Sequence, residues 1–204
     1  MKFLKYLSLV AILTLNHVVS NAQNCTLTCP ANMLIKADKG QEGAIVNFPS
    51  ASTSGECGTV TFSPASGTFF RLGSHSITVT SSNGQKCSFT LTVTDNESPV
   101  LSPITLSAKK LWPANNKIKK VAVFYTATDN GQNVTSNLSV TSNNTESTAK
   151  DFEVVNNHLV RLKASRLPNG EPRIYTITVT STDEAGNKTT RSTSIAVSKT
   201  MVAK

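Results

Sequence analysis

The chain is short of charge, of aromatic side chains and of anything resembling a catalytic set. Charged residues make up 16% of its 204 positions and aromatic ones 6%, with a single tryptophan, Trp112. No stretch of useful length repeats its apolar residues at the helical period, which excludes a helical architecture. There is no GxSxG elbow, no phosphate-binding glycine loop and no zinc motif. His75 sits between Ser74 and Ser76, and His158 follows Asn156-Asn157 in a turn-like segment. Neither has an acid or nucleophile partner in the sequence, and both read as surface residues. No cofactor motif appears, and after the first 22 residues no apolar run is long enough to span a bilayer.

What is present begins with an export signal. Lys2 and Lys5 form a basic start, residues 7–15 are mostly apolar, and Ser20-Asn21-Ala22 ends on a small residue suited to cleavage before Gln23. Cys25 follows Ala22-Gln23-Asn24, which does not match a lipobox. The mature chain is therefore expected to be soluble and secreted, or held at the cell surface. Its four cysteines, Cys25, Cys29, Cys57 and Cys87, all lie in the first half. An even number in an exported chain points to two disulfides, in any of three pairings. The second half has no cysteine and holds the whole positive excess. Removing Lys2 and Lys5 takes the formal charge from +8 to +6, while residues 23–96 balance four basic against four acidic side chains.

Two stretches a hundred positions apart are near copies. Residues 77–93 read ITVTSSNGQKCSFTLTV and residues 177–197 read ITVTSTDEAGNKTTRSTSIAV. Each is an alternating strand, a turn rich in Ser, Asn, Asp and Gly, and a second alternating strand, the pattern of a β-hairpin. The repeat predicts an all-β fold of two tandem immunoglobulin-like β-sandwiches after a cleaved signal peptide. The expected boundaries are 1–22 for the signal, 23–98 and 99–200 for the sandwiches, and 201–204 for a tail. Within the first, strands are expected at 32–37, 44–48 and 59–63, with a polar loop at 50–58. Residues 95–102 (DNESPVLS) read as a short, semi-rigid linker, stiffened by Pro99 and Pro103. In the second, 121–129, 140–143, 152–155 and 160–166 are the strand landmarks, and Tyr175 is placed to make a tyrosine-corner hydrogen bond.

The first half resembles the hyalin repeat (HYR) domain. The resemblance is carried by Cys29-Pro30-Ala31-Asn32, residues 40–46, Glu56-Cys57-Gly58, residues 69–73, Cys87-Ser88-Phe89-Thr90 and residues 95–99. It implies an immunoglobulin-like sandwich of an extracellular, adhesion-associated protein. Bacterial members often carry a cysteine where this chain has Glu42, and their hairpin turn reads DxxGN where this chain has Ser81-Ser82-Asn83-Gly84-Gln85. The resemblance implies a Cys29–Cys87 bridge, and with it Cys25–Cys57, Cys25 standing in for the cysteine missing at position 42. The second half resembles an Ig-like domain that follows such repeats in bacterial surface proteins, with LWPPNHK-, TSNE- and LRAER-like motifs. It departs from them at Ala114, Asn116 and Ser165.

Two groups of residues are candidates for binding. Lys109, Lys110, Lys119 and Lys120 flank Trp112 and could attract an acidic polysaccharide. A solvated strand face and a core-covering Trp112 are the plainer readings, and too few aromatics interleave to expect nucleic acid. Asp95, Glu97, Asp129 and Asp183 sit at strand ends and at the junction, where Ca²⁺ would need several converging oxygens. One carboxylate per turn favours capping instead, with Asp183 accepting backbone N–H bonds of its own turn. Sequons at Asn96, Asn133, Asn137, Asn143 and Asn187 matter only in a eukaryotic source. The sequence thus points to a non-catalytic secreted or surface protein that binds an extracellular protein or, alternatively, a glycan. No nucleic acid or metal is expected, and nothing sets the oligomeric state.

Overall fold

The computed structural model describes residues 24–130, 133–144 and 150–199. The expected signal segment and tail lie outside the described residues. No helix among these is long and apolar enough to cross a membrane. The described chain is all-β.

Eight strands precede the linker: β1 (Cys25–Thr28), β2 (Met33–Lys36), β3 (Gly43–Val46), β4 (Ser52–Gly55), β5 (Val60–Ser63), β6 (Thr68–Arg71), β7 (Gly73–Ser81) and β8 (Lys86–Thr94). They form a four-stranded sheet in the order β2-β8-β7-β5 and two strand pairs, β3-β6 and β1-β4. β2 runs parallel to β8; the other pairings are antiparallel. Period-two alternation decides which side chains meet between the layers. Ile77 and Val79 of β7, with Phe89, Leu91 and Val93 of β8, pack against Ala44 and Val46 of β3 and Phe70 of β6. Phe48 closes the cluster, its ring 5.4 Å from Phe89, 5.6 Å from Phe62 and 5.7 Å from Phe70. Each such side chain contributes about 1.5–3 kcal/mol by leaving water.

Two bridges fasten this layer pair. Cys25 is bonded to Cys57 and Cys29 to Cys87, the pairing that the resemblance implied. The first joins β1 to the segment after β4, and the second joins the end of β1 to β8. The residues read as a polar loop therefore contain a strand, β4, which pairs with β1 in register Cys25↔Gly55 to Thr28↔Ser52. β4 has no apolar alternation to announce it, since it is exposed throughout, and the alternation of β1 runs over only four residues.

Nine strands follow: β9 (Val100–Leu101), β10 (Thr105–Leu106), β11 (Ile118–Phe124), β12 (Ala127–Thr128), β13 (Thr135–Ser142), β14 (Phe152–Asn156), β15 (Leu159–Lys163), β16 (Ile174–Thr182) and β17 (Lys188–Ala196). One sheet runs β10-β11-β15-β14 and another β13-β16-β17, with β9 paired to β12. Their inward faces enclose a second apolar cluster, with Val121, Val123, Val160, Leu162, Ile177 and Val179 at its centre. Tyr175 is fully buried in it, and its hydroxyl lies 2.9 Å from the Lys163 carbonyl and 3.1 Å from that of Asp151. That is the corner bond foreseen for Tyr175. Asp151 also meets Arg173 at 2.9 Å and Lys163 at 3.3 Å. The linker is shorter than its sequence implies, since β9 lies within the stretch read as linker and already pairs with β12.

Candidate functional site

Three acidic side chains come together at one place, the junction of the two sandwiches. Three strand ends deliver them. Asp95 follows β8, Asp129 follows β12, and Asp183 follows β16. One carboxylate oxygen from each lies within 4.8 Å of the others. Asp183 is there because β16 alternates without a break: Tyr175, Ile177, Val179 and Ser181 point inward, and Asp183 continues the phase at 5% exposure. It also caps its own turn, accepting the Asn187 backbone N–H at Oδ1 (2.8 Å) and the Asn187 amide at Oδ2 (3.0 Å). Capping and convergence are thus both true of Asp183.

Asn130 and Glu97 hold the two halves of the junction to each other. The Asn130 amide nitrogen donates to Asp95 Oδ1 at 3.3 Å and to Glu97 Oε2 at 3.4 Å. Glu97 Oε2 also accepts the Gly40 backbone N–H at 2.7 Å, and Asp95 Oδ1 accepts that of Glu97 at 3.0 Å. Gly40 belongs to the turn before β3, so the contacts run from the first sandwich through the linker to the second. Beside them opens a cleft of about 430 Å³, lined by Gly40, Glu97, Ser98, Val100, Thr128 and Asp129.

The electrostatics of this cluster are unbalanced. Like charges less than 4.8 Å apart repel by about 3 kcal/mol or more per pair at an effective dielectric of about 20. Burial pushes the Asp129 carboxyl above its usual range, and the charges of Asp95 and Asp183 push it further, against an opposing backbone hydrogen bond at Asn130. Among the described residues, neither Asp129 nor Asp183 makes an ion pair. Asp129 Oδ2 and Asn130 Oδ1 are buried and, among the described residues, have no hydrogen-bond partner.

The basic group is distributed differently. Lys119 and Lys120 are neighbours on β11, so the pleat sends them to opposite faces. Lys120 stands opposite Arg161 of β15, which pairs at 2.9 Å with Glu153 of β14. Lys109 instead lines a separate cleft with Thr193 and Ser194 of β17, where the chain crosses from β10 toward that strand. Trp112 is 38% exposed, next to Leu111, which bridges to Val197. His75 is half-buried with its ring edge on Phe70, and exposed His158 stacks on Tyr125 at 4.7 Å.

Sequence reasoning named Asp95, Glu97, Asp129 and Asp183 separately and did not bring them together. It passed over Gly40, whose backbone amide carries no sequence signal. The detectable sign was the phase of β16, which puts an ionisable side chain at an inward position of an apolar alternation.

No protein-family model matches the chain, and no curated protein matches it. Among solved structures, it is similar to extracellular cadherin domains 1–4 of protocadherin gamma B7 at 15% identity and a TM-score of 0.39, covering 87% of this chain and 50% of that one. It is similar to the N-terminal eight Ig domains of Down syndrome cell adhesion molecule at 10% identity and a TM-score of 0.41, covering 84% and 27%. Sidekick-1 immunoglobulin domains 1–4 follow at 9% identity and 0.38, covering 86% and 49%. The chain spans half or less of each of these proteins. At such identities and TM-scores the likenesses bear on neither activity nor partner.

Proposed function

We propose that the chain is an exported, non-catalytic interaction protein whose two immunoglobulin-like sandwiches engage an extracellular protein partner. The observation that carries this reading is a pair of large apolar side chains left in solvent. Ile45 of β3 and Phe69 of β6 stand directly opposite each other, 62% and 48% exposed, on the outer face of their strand pair. Side chains of this size are worth about 1.5–3 kcal/mol each when buried, and leaving two adjacent ones out is a standing invitation to a partner. The two disulfides fit an oxidising, extracellular setting. The resemblance of the first half to the hyalin repeat supports the same setting. A protein partner is preferred to an acidic glycan because the pleat separates Lys119 from Lys120, so the lysines around Trp112 do not share one face.

The test is a binding screen of the mature chain against extracellular proteins, whole cells and a glycan array. Protein or cell binding is expected, weakened at least tenfold in an Ile45→Ser/Phe69→Ser variant that keeps its fold, since 1.4 kcal/mol is a factor of ten. Salt-sensitive glycan binding lost in a Lys109/Lys110/Lys119/Lys120→Ala variant would overturn the choice of partner. A hydrolase or transferase activity abolished by substituting His75 or His158 would overturn the non-catalytic reading.

A further inference from the structure

The junction cluster has the composition and the spacing of a hard-cation site. We propose that the carboxylates of Asp95, Asp129 and Asp183, together with Asn130 Oδ1, bind one Ca²⁺ ion between the two sandwiches. Ca²⁺ sits about 2.3–2.6 Å from each of its oxygens, so any two of its ligands lie within about 5 Å of each other. The three carboxylate oxygens already meet that condition, at no more than 4.8 Å apart. Every donor here is an oxygen, with neither imidazole nor thiolate in the group, which selects calcium over zinc or copper.

Two further observations go beyond the proximity of acids. Asp129 Oδ2 and Asn130 Oδ1 are buried oxygens with no hydrogen-bond donor among the described residues. A buried oxygen left without a donor costs free energy, and a bound cation supplies the missing partner. Asp183, 5% exposed, brings a carboxylate into the same place without an ion pair among the described residues. Buried carboxylates are ordinarily paired with a cation or bound to a metal. The cleft at Glu97 and Asp129 gives water a route to the remaining coordination positions.

The ion would tie the sandwiches together. Asp95 ends the last strand of the first sandwich, while Asp129 and Asp183 end strands of the second. Binding therefore couples the orientation of the two modules to calcium. It is independent of what the sandwiches bind and of the surface at Ile45 and Phe69.

The test uses the mature chain stripped of metal, titrated with CaCl₂ and with MgCl₂ by calorimetry, with thermal unfolding in calcium and in chelator. One Ca²⁺ per chain is expected, with an affinity in the range of about 10⁻⁴ M or tighter and a rise in melting temperature. Asp129→Asn is isosteric, and it weakens Ca²⁺ binding at least tenfold. In chelator the same variant melts above the parent, because one of three crowded charges is gone; in calcium the order reverses. Asp95→Asn behaves alike, and Glu42→Gln, whose carboxylate pairs with Arg71 and not with the cluster, changes neither. No calcium heat up to about 10 mM, Mg²⁺ bound as tightly as Ca²⁺, or an Asp129→Asn chain that binds like the parent would each overturn the assignment.

Discussion

Reducing the disulfides separates the two sandwiches by stability, and the size of the effect follows from where the bridges lie. Cys25–Cys57 spans 32 positions and Cys29–Cys87 spans 58. The loop-closure estimate for chains of those lengths gives about 3.7 and about 4.2 kcal/mol of stabilisation through the unfolded state. The two loops overlap between residues 29 and 57, so the second bridge to form closes a chain already constrained, and the pair contributes less than the sum. A domain of some 75 residues has a total stability of about 4–11 kcal/mol. One bridge is therefore a third or more of what the first sandwich has. Cys57 adds to this because it is 3% exposed, and its truncation leaves unfilled space.

The perturbation is a pair of variants, Cys25→Ala/Cys57→Ala and Cys29→Ala/Cys87→Ala, compared with the parent in urea. The chain supplies its own local probe. Trp112 is the sole tryptophan and belongs to the second sandwich, whereas circular dichroism reports both. Either variant is expected to lower the dichroism midpoint assigned to the first sandwich by about 2–4 M urea, at an m-value of about 1–2 kcal/mol/M. The Trp112 fluorescence midpoint stays put, since no cysteine lies in that half. On loop closure alone the Cys29/Cys87 pair loses about 0.5 kcal/mol more, a difference that the space left at buried Cys57 offsets. A first-sandwich midpoint unchanged by either variant, or a Trp112 transition that moves with it, would refute the reasoning.

Further perturbations test the packing. Tyr175→Phe removes the hydroxyl between the Lys163 and Asp151 carbonyls and costs about 1–3 kcal/mol in the Trp112 transition. Burial, first among its causes, holds the Tyr175 phenol above its ordinary 10.0, so its stabilisation is complete below about pH 10 and lost as pH rises through the folded value. The Phe variant shows a smaller alkaline loss in a pH series of melting temperatures. Arg173→Met breaks the buried contact with Asp151, and about 2–4 kcal/mol is expected in the same assay, below the full penalty because Lys163 still meets Asp151. Gly43→Ala would set a methyl 2.0 Å from the Phe70 carbonyl oxygen, and about 1–3 kcal/mol is lost by dichroism. Gly84→Ala meets no neighbour within 4 Å and costs only the strain of its φ of +93°, about 1 kcal/mol.

What the sequence shows well are the long hairpins and the inward residues. β7, β8, β16 and β17 are nine residues each, long enough for alternation to fix both the strand and the face. Short strands escape it: four residues such as Ser52–Gly55, exposed throughout, offer no phase to read. Phe69-Phe70 reads as an apolar pair but is a strand segment with Phe70 inward and Phe69 outward, because the pleat assigns neighbours to opposite sides. The same rule divides Lys119 from Lys120, which adjacency in sequence had joined. The junction was hidden for a different reason. Its members are 34 and 54 positions apart along the chain. Only the pairing of β9 with β12 and the reach of β16 bring them to one point.

The two hairpin copies show how a repeat acquires a site. Their turns share a backbone plan: Ser81 N–H to Gln85 carbonyl and Gly84 N–H to Ser81 carbonyl in the first, Asp183 to Asn187 and Gly186 to Asp183 in the second. Gly84 and Gly186 sit at φ of +93° and +92°, so the missing DxxGN pattern did not change the turn. What differs is the strand leading in. From the shared ITVTS, β7 turns at Ser81, while the chain after β16 continues through Thr182 to Asp183 before the same turn begins. Two residues preserve the face and advance the turn by about 7 Å. That extension sets a carboxylate, in place of a hydroxyl, at the inward end of the strand. The first copy holds its turn with Ser81 and Asn83 and ends there. The second is capped from its first residue, Asp183, and that capping group also lies beside Asp95 and Asp129. The two extra residues keep the backbone bonds of the turn and supply the junction with its third carboxylate.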